Sequence, residues 1–183
     1  RQWIAKAAIN KDPRYFGYLV KEHQSTVRGY LRRLTKGNEA LADDLSQETF
    51  MTAFRKISYY KATGSFISWL LSIAYRSFLM HLRVQKTNPL NEASEAELLT
   101  ENLQETSHLD VKIDLEKALS MLNENERSTL TLNFSFGMSH REVSEIMNMP
   151  LGTVKSHITR GKEKLKTLLL PQNNNPLQHE KVR

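Results

Sequence analysis

Apolar residues recur along most of this chain at steps of three and four, the spacing that brings side chains to one face of an α-helix. Phe16, Leu19, Val20, His23, Val27, Leu31 and Leu34 make the first such stripe, and it stops at Lys36-Gly37-Asn38, a run suited to a helix end. A second helix is predicted from Glu39 to Ile57. On a wheel of about 100° per residue, Leu41, Leu45, Thr49, Ala53 and Ile57 gather on one side and Asp44, Gln47, Glu48, Met51 and Arg55 on the other. The loop SYYKATG follows, then a third helix over Ser65 to Arg83 that buries Phe66, Leu70, Ile73, Ala74 and Ser77. The strict alternation of a half-buried strand is nearly absent. The fold class is therefore all-α.

The third helix departs from simple amphipathicity, because Tyr75, Leu79 and Leu82 stand opposite its buried stripe, flanked by Arg76 and Arg83. Two readings fit. This face packs against another helix, or its aromatic and cationic groups grip single-stranded nucleic acid by stacking and charge. Tyr59, Tyr60 and Lys61 in the preceding loop would extend the second kind of surface. His23, on an apolar stripe, reads as a core or boundary residue rather than a ligand.

Further along, SHREVSEIMNMPLGTVKSHITRGKEKL carries the strongest local signal. Ser139 followed three residues later by Glu142 is a capping box opening a short helix. Val143, Ile146 and Met147 are its apolar positions, and Asn148-Met149-Pro150 breaks it. The next helix places Leu151, Val154, Ile158, Gly161 and Leu165 on one face, with Gly161 small enough for a neighbouring helix to come close. Its opposite face offers Thr153, Ser156, Thr159 and Arg160, with Lys155 on the flank. Two short helices, a tight turn and a polar, cationic outer face describe a helix-turn-helix, against the plainer alternative of a helical hairpin. Arg and Lys can donate to guanine acceptors or phosphates, and Ser and Thr can reach either. Lys162, Lys164 and Lys166 lie further along, suited to gripping phosphates or to solvating the helix.

Charge sharpens the division of the 183 residues. The net is +6, the sign that points to a polyanionic partner, yet residues 86–110 hold one basic residue against six acidic ones. They read as a flexible acidic linker between a module over 1–85 and a second over 111–170, with a polar, mobile tail at 171–183. There are no cysteines, no apolar run of transmembrane length and no leader-type start, which together fit a cytoplasmic protein. Neither a glycine-rich phosphate loop nor a Cys/His metal set is present. No cofactor, metal site or catalytic residue is expected. One feature runs against the basic background: DDLSQETF, with Asp43, Asp44 and Glu48 on one helix. It is either a solvated face or the docking face for a second partner that is not DNA.

Three segments together resemble a bacterial RNA polymerase sigma factor of the small extracytoplasmic-function (ECF) type. ADDLSQETFMTAFRKI resembles the family's core-polymerase-binding segment, SFISWLLSIAYRSFLMHLR its promoter-melting and −10-reading helix, and LNENERSTLTLNFSFGMSHREVSEIMNMPLGTVKSHITRGKEKL its −35-reading domain. The resemblance implies that Asp44, Gln47, Glu48 and Met51 dock on a coiled coil of the polymerase beta-prime subunit. It places −35 duplex contacts on Lys155, Ser156, Thr159 and Arg160, beside Thr153. It places single-strand −10 contacts on the Tyr59–Ser65 loop, where a flipped base would sit, and on Tyr75, Arg76 and Arg83. The family's usual I-A-R-N…D…R here reads Ile73-Ala74-Tyr75-Arg76…Met80…Arg83. The linker would thread toward the polymerase active site, and an anti-sigma factor is an implied partner. The rival readings are a stand-alone helix-turn-helix regulator and a polymerase-binding adaptor or antagonist.

Overall fold

In the computed structural model of this chain, the described residues are 12–61, 64–87 and 115–169, together with Ile4. They are helical throughout, with no strand among them. The greater part of the expected linker, the tail, and Ala62 and Thr63 of the loop lie outside the described residues.

Helix α1 spans Pro13–Leu34. It starts where Asp12 accepts a hydrogen bond from the Arg14 backbone N–H (2.9 Å) and Pro13 supplies a preset φ at a position needing no donor. It ends where Lys36 and Gly37 turn to positive φ (55° and 88°), so that the Gly37 N–H reaches back to the Arg32 carbonyl at 2.9 Å. Asn38 then caps α2, Glu39–Lys56, by accepting from the Leu41 N–H at 3.0 Å. A 3₁₀ turn, Ile57–Tyr59, leads through the loop to α3, Phe66–Thr87, which runs two residues into the expected linker. Ser65 Oγ accepts from the Ser68 N–H (3.1 Å) at its start. These helices pack mutually and bury Phe16, Leu19, Val27, Leu31 and Leu34 against Ala42, Leu45, Thr49 and Ala53 and the expected α3 stripe.

The second half begins with helical residues 115–120. Asn123 caps α4, Glu124–Leu130, which continues as a π-type turn over Thr131–Ser135. Helix α5, His140–Met147, opens with the complete Ser139/Glu142 capping box and closes on Asn148 in the left-handed conformation (φ 50°). Helix α6 spans Leu151–Leu169. Gly161 sits where α6 crosses α4: a Cβ there would lie 2.7 Å from Leu130 Cδ1 and 3.4 Å from Glu126 Cβ. The small residue is what lets the two backbones approach. No helix of the described residues is long and apolar enough to cross a membrane.

The two halves share one continuous apolar core, because α3 packs on α5 and α1 on α4. This docking covers Tyr75 of the second apolar face of α3, while Leu79 stays exposed and Leu82 half-buried. Tyr75 is 2% exposed, and Leu71 and Phe78 are buried with it.

Candidate polymerase- and nucleic-acid-binding surfaces

The sequence of α2 separates its carboxylates into two roles. Asp43 faces α1, where the Arg28 guanidinium donates to it at 2.7 Å. Asp44, Gln47, Glu48 and Met51 stand on the opposite side and are exposed, with Met51 at 61%. Neither Asp44 nor Glu48 forms an ion pair among the described residues. The buried stripe is Leu45, Thr49, Ala53 and Ile57, with Leu41 half-buried at its end. An exposed methionine beside two unspent carboxylates makes an acidic surface with an apolar group in it.

On α6, Val154, Ile158 and Gly161 face inward, so Lys155, Ser156, Thr159 and Arg160 are turned out to solvent and Thr153 is half-buried. Ser156 Oγ donates to the Gly152 carbonyl at 3.0 Å, as serines in helices do when no other partner is in reach. The Arg160 guanidinium lies 3.4 Å from His157 Nδ1. Burial and the Arg160 charge hold the His157 imidazole below its ordinary pKa, with Glu126 opposing. Lys155 and Arg160 have no carboxylate in ion-pair reach among the described residues.

Two of the lysines further along α6 are already committed. Lys164 Nζ donates to both carboxylate oxygens of Glu126, at 2.9 and 2.8 Å. Glu126 is 1% exposed; burial alone would raise its pKa, but Lys164 outweighs this and holds it below the usual range. Lys162 Nζ sits 5.4 Å from the Phe134 ring centroid, a cation–π contact with a ring that is 60% exposed. The linear sequence gave no sign of either partner, since Glu126 and Phe134 come from the α4 region.

The third group of candidates is divided. Tyr59 (78% exposed), Lys61, Arg76 and Arg83 are open to solvent, and Leu79 and Met80 join them. Helix α3 has no acidic residue along its whole length, and Arg76 and Arg83 have no carboxylate partner among the described residues. Tyr60 folds back instead: its hydroxyl donates to the Gly64 carbonyl at 2.6 Å, and its ring packs on Phe66 and Trp69. Behind it lies a cavity of about 390 Å³ lined in part by Leu19, His23, Ser65 and Ile67. Tyr75 is covered: its hydroxyl donates to Asn125 Oδ1 at 3.1 Å, and burial pushes its phenol up to about 12.

Two helical modules, one with an exposed acidic face and the other a helix-turn-helix with an open cationic face, are the features of a helix-turn-helix DNA-binding protein. Residues 19–87 match Sigma-70 region 2 and residues 112–165 match Sigma-70 region 4. The ECF RNA polymerase sigma-E factor of Haemophilus influenzae is 32% identical, covering 93% of this chain and 95% of that protein. The RNA polymerase sigma-H factor of Pseudomonas aeruginosa is 26% identical, covering 93% and 94%. Among solved structures, the sigma factor RpoE of Bartonella quintana, in complex with the anti-sigma factor NepR, superposes with TM-score 0.72 at 24% identity, over 84% of this chain and 96% of that one. The chain belongs to the family of ECF RNA polymerase sigma factors.

Proposed function

We propose that this alternative sigma factor divides initiation among three surfaces, with the acidic face of α2 meeting the polymerase and the cationic faces meeting the promoter. Asp44, Gln47, Glu48 and Met51 dock on the beta-prime coiled coil, where carboxylates suit basic side chains and Met51 supplies apolar contact. Lys155, Ser156, Thr159 and Arg160, with Thr153, read the −35 element in the major groove. Tyr59, Tyr60, Lys61, Arg76, Arg83 and, when uncovered, Tyr75 hold the opened −10 strand by stacking and charge. Residues 1–85 thus serve as the −10 module and 111–170 as the −35 module. The chain performs no catalysis itself and works in the cytoplasm; opening is driven by captured bases and polymerase contacts. An anti-sigma protein is a further partner, as RpoE is in complex with NepR in the solved structure.

The observation that carries this reading is the split of α2: Asp43 is tied to Arg28, while Asp44 and Glu48, one turn apart, are left facing solvent in a basic protein. Transcription in vitro by core polymerase lacking any other specificity factor tests it. The chain should confer initiation at a subset of promoters, whereas a stand-alone regulator or an antagonist would confer none. Replacing Asp44 and Glu48 together with lysine should abolish that initiation and weaken polymerase capture while leaving helical circular dichroism unchanged. Full capture by the doubly reversed chain would remove α2 from the interface.

A further inference from the structure

His157 sits on the seam where α6 turns from its inward face to its outward one. Val154, Ile158 and Gly161 beside it are buried, Ser156, Thr159 and Arg160 are exposed, and His157 itself is half-buried. From this position Nδ1 of its ring lies 3.4 Å from Nη2 of Arg160, one helical turn further on. A guanidinium has donors and no acceptor. The contact is therefore a hydrogen bond in one state of the ring only, the neutral imidazole with its proton on Nε2 and a lone pair on Nδ1. The surroundings favour the neutral ring: partial burial penalises the cation, Arg160 repels it, and Glu126 of α4 opposes them. Glu126 is already clamped by Lys164, at 2.9 and 2.8 Å, which weakens its pull on an imidazolium. No other charged group from the helices packed on α6 acts on His157 among the described residues.

Fixing that guanidinium matters for reading bases. An exposed arginine samples many rotamers, and the freedom it gives up on meeting a base edge is subtracted from its binding free energy. The imidazole, held in place by the seam, engages one terminal nitrogen and leaves the guanidinium's other donors for the groove. We propose that His157 is a positioning residue for −35 recognition: it preorganises the Arg160 guanidinium for a base edge without touching a base itself. Protonation of the ring removes the acceptor and sets a like charge one turn from Arg160, so the support becomes a repulsion. Selectivity should be full while His157 is neutral and decline as pH falls through its titration. The inference rests on the promoter reading above, in which Arg160 meets the −35 duplex.

Holoenzyme assembled from core polymerase and the full chain can be offered two promoter fragments in competition: one that the unaltered chain uses, and the same fragment with its −35 bases scrambled. At pH 7.5, His157→Ala should lower the preference by about two- to tenfold, the span of one net hydrogen bond. His157→Asn, whose amide oxygen replaces Nδ1 as acceptor, should restore most of it. Between pH 7.5 and pH 5.5 the unaltered chain should lose preference and H157N should not, a contrast that a packing role for the ring would not produce. An alanine variant as selective as the unaltered chain, an asparagine variant as weak as alanine, or equal pH slopes in H157N and the unaltered chain would overturn the proposal. If the alanine variant loses its helical circular dichroism, the asparagine variant and the pH slopes decide. No preference by the unaltered chain at pH 7.5 would instead sink the promoter reading. Nitrogen NMR of the free chain then judges the contact: the Nε2-protonated tautomer of His157 is expected at pH 7.5, and the Nδ1-protonated one would end the proposal.

Discussion

Arg160 is held by α6 with its charge unspent. Its guanidinium leans on His157, whose ring carries no competing positive charge at neutral pH, and no carboxylate is near enough to bind it among the described residues. Such a group can present its planar fork to a guanine edge, and a good bidentate contact is worth about 1–3 kcal/mol of discrimination. Arg160→Ala should therefore lower preference for the cognate −35 sequence by about that amount, read as the ratio of transcription from promoters with and without it. Polymerase affinity should hardly move, because the proposed docking residues lie on α2. Loss by the same factor on every promoter would show that Arg160 grips phosphate and reads no base. The contrast with Asp43 is instructive: its ion pair with Arg28 is half-exposed, and breaking it should cost no more than about 1 kcal/mol of stability with no effect on promoter choice.

At the level of the helix, Gly161 decides how closely α6 lies on α4. Gly161→Val would thrust a branched side chain onto Leu130, which is 2% exposed and has little room to yield. Overpacking of this kind costs about 1–3 kcal/mol, so urea unfolding of the variant should shift to lower midpoint. If the Glu126–Lys164 pair is displaced with it, the outward face of α6 tilts and −35 selectivity falls too. The helices themselves were legible from the chain, since caps and periodicity are local: Ser139 and Glu142 do form the box, and the α2 wheel separates buried from exposed residues as it should. Three things were not. Leu151 lies on the apolar side of the wheel but is 43% exposed, because as the first residue of α6 it extends past the helix it would pack on. The π-type turn at Thr131–Ser135 is a hydrogen-bond register that apolar periodicity does not specify. Tyr30 and Tyr75 are buried by a partner module, and periodicity can mark a face as apolar without saying what covers it.

For the whole molecule, acid should loosen the fold before it reaches the carboxylates. Burial holds the His23 imidazole below its ordinary pKa, against the opposing charge of Glu22, and His157 is lowered as well. The folded chain then binds fewer protons than the unfolded one as pH falls through about 6.5, so stability declines there and levels off once the folded groups also titrate. Urea midpoints should drop between pH 7.5 and pH 5.5, and His23→Gln should flatten part of that slope. A midpoint independent of pH across this window would mean that neither ring is shielded as described. Electrostatics at larger range follows from the commitments inside α6. Its cations are Lys155, Arg160, Lys162, Lys164 and Lys166, but Lys164 is consumed by the buried Glu126. The ions displaced from duplex by this helix should therefore number nearer four than five, at about 0.9 per phosphate neutralised, leaving its hold on DNA less salt-sensitive than its composition implies.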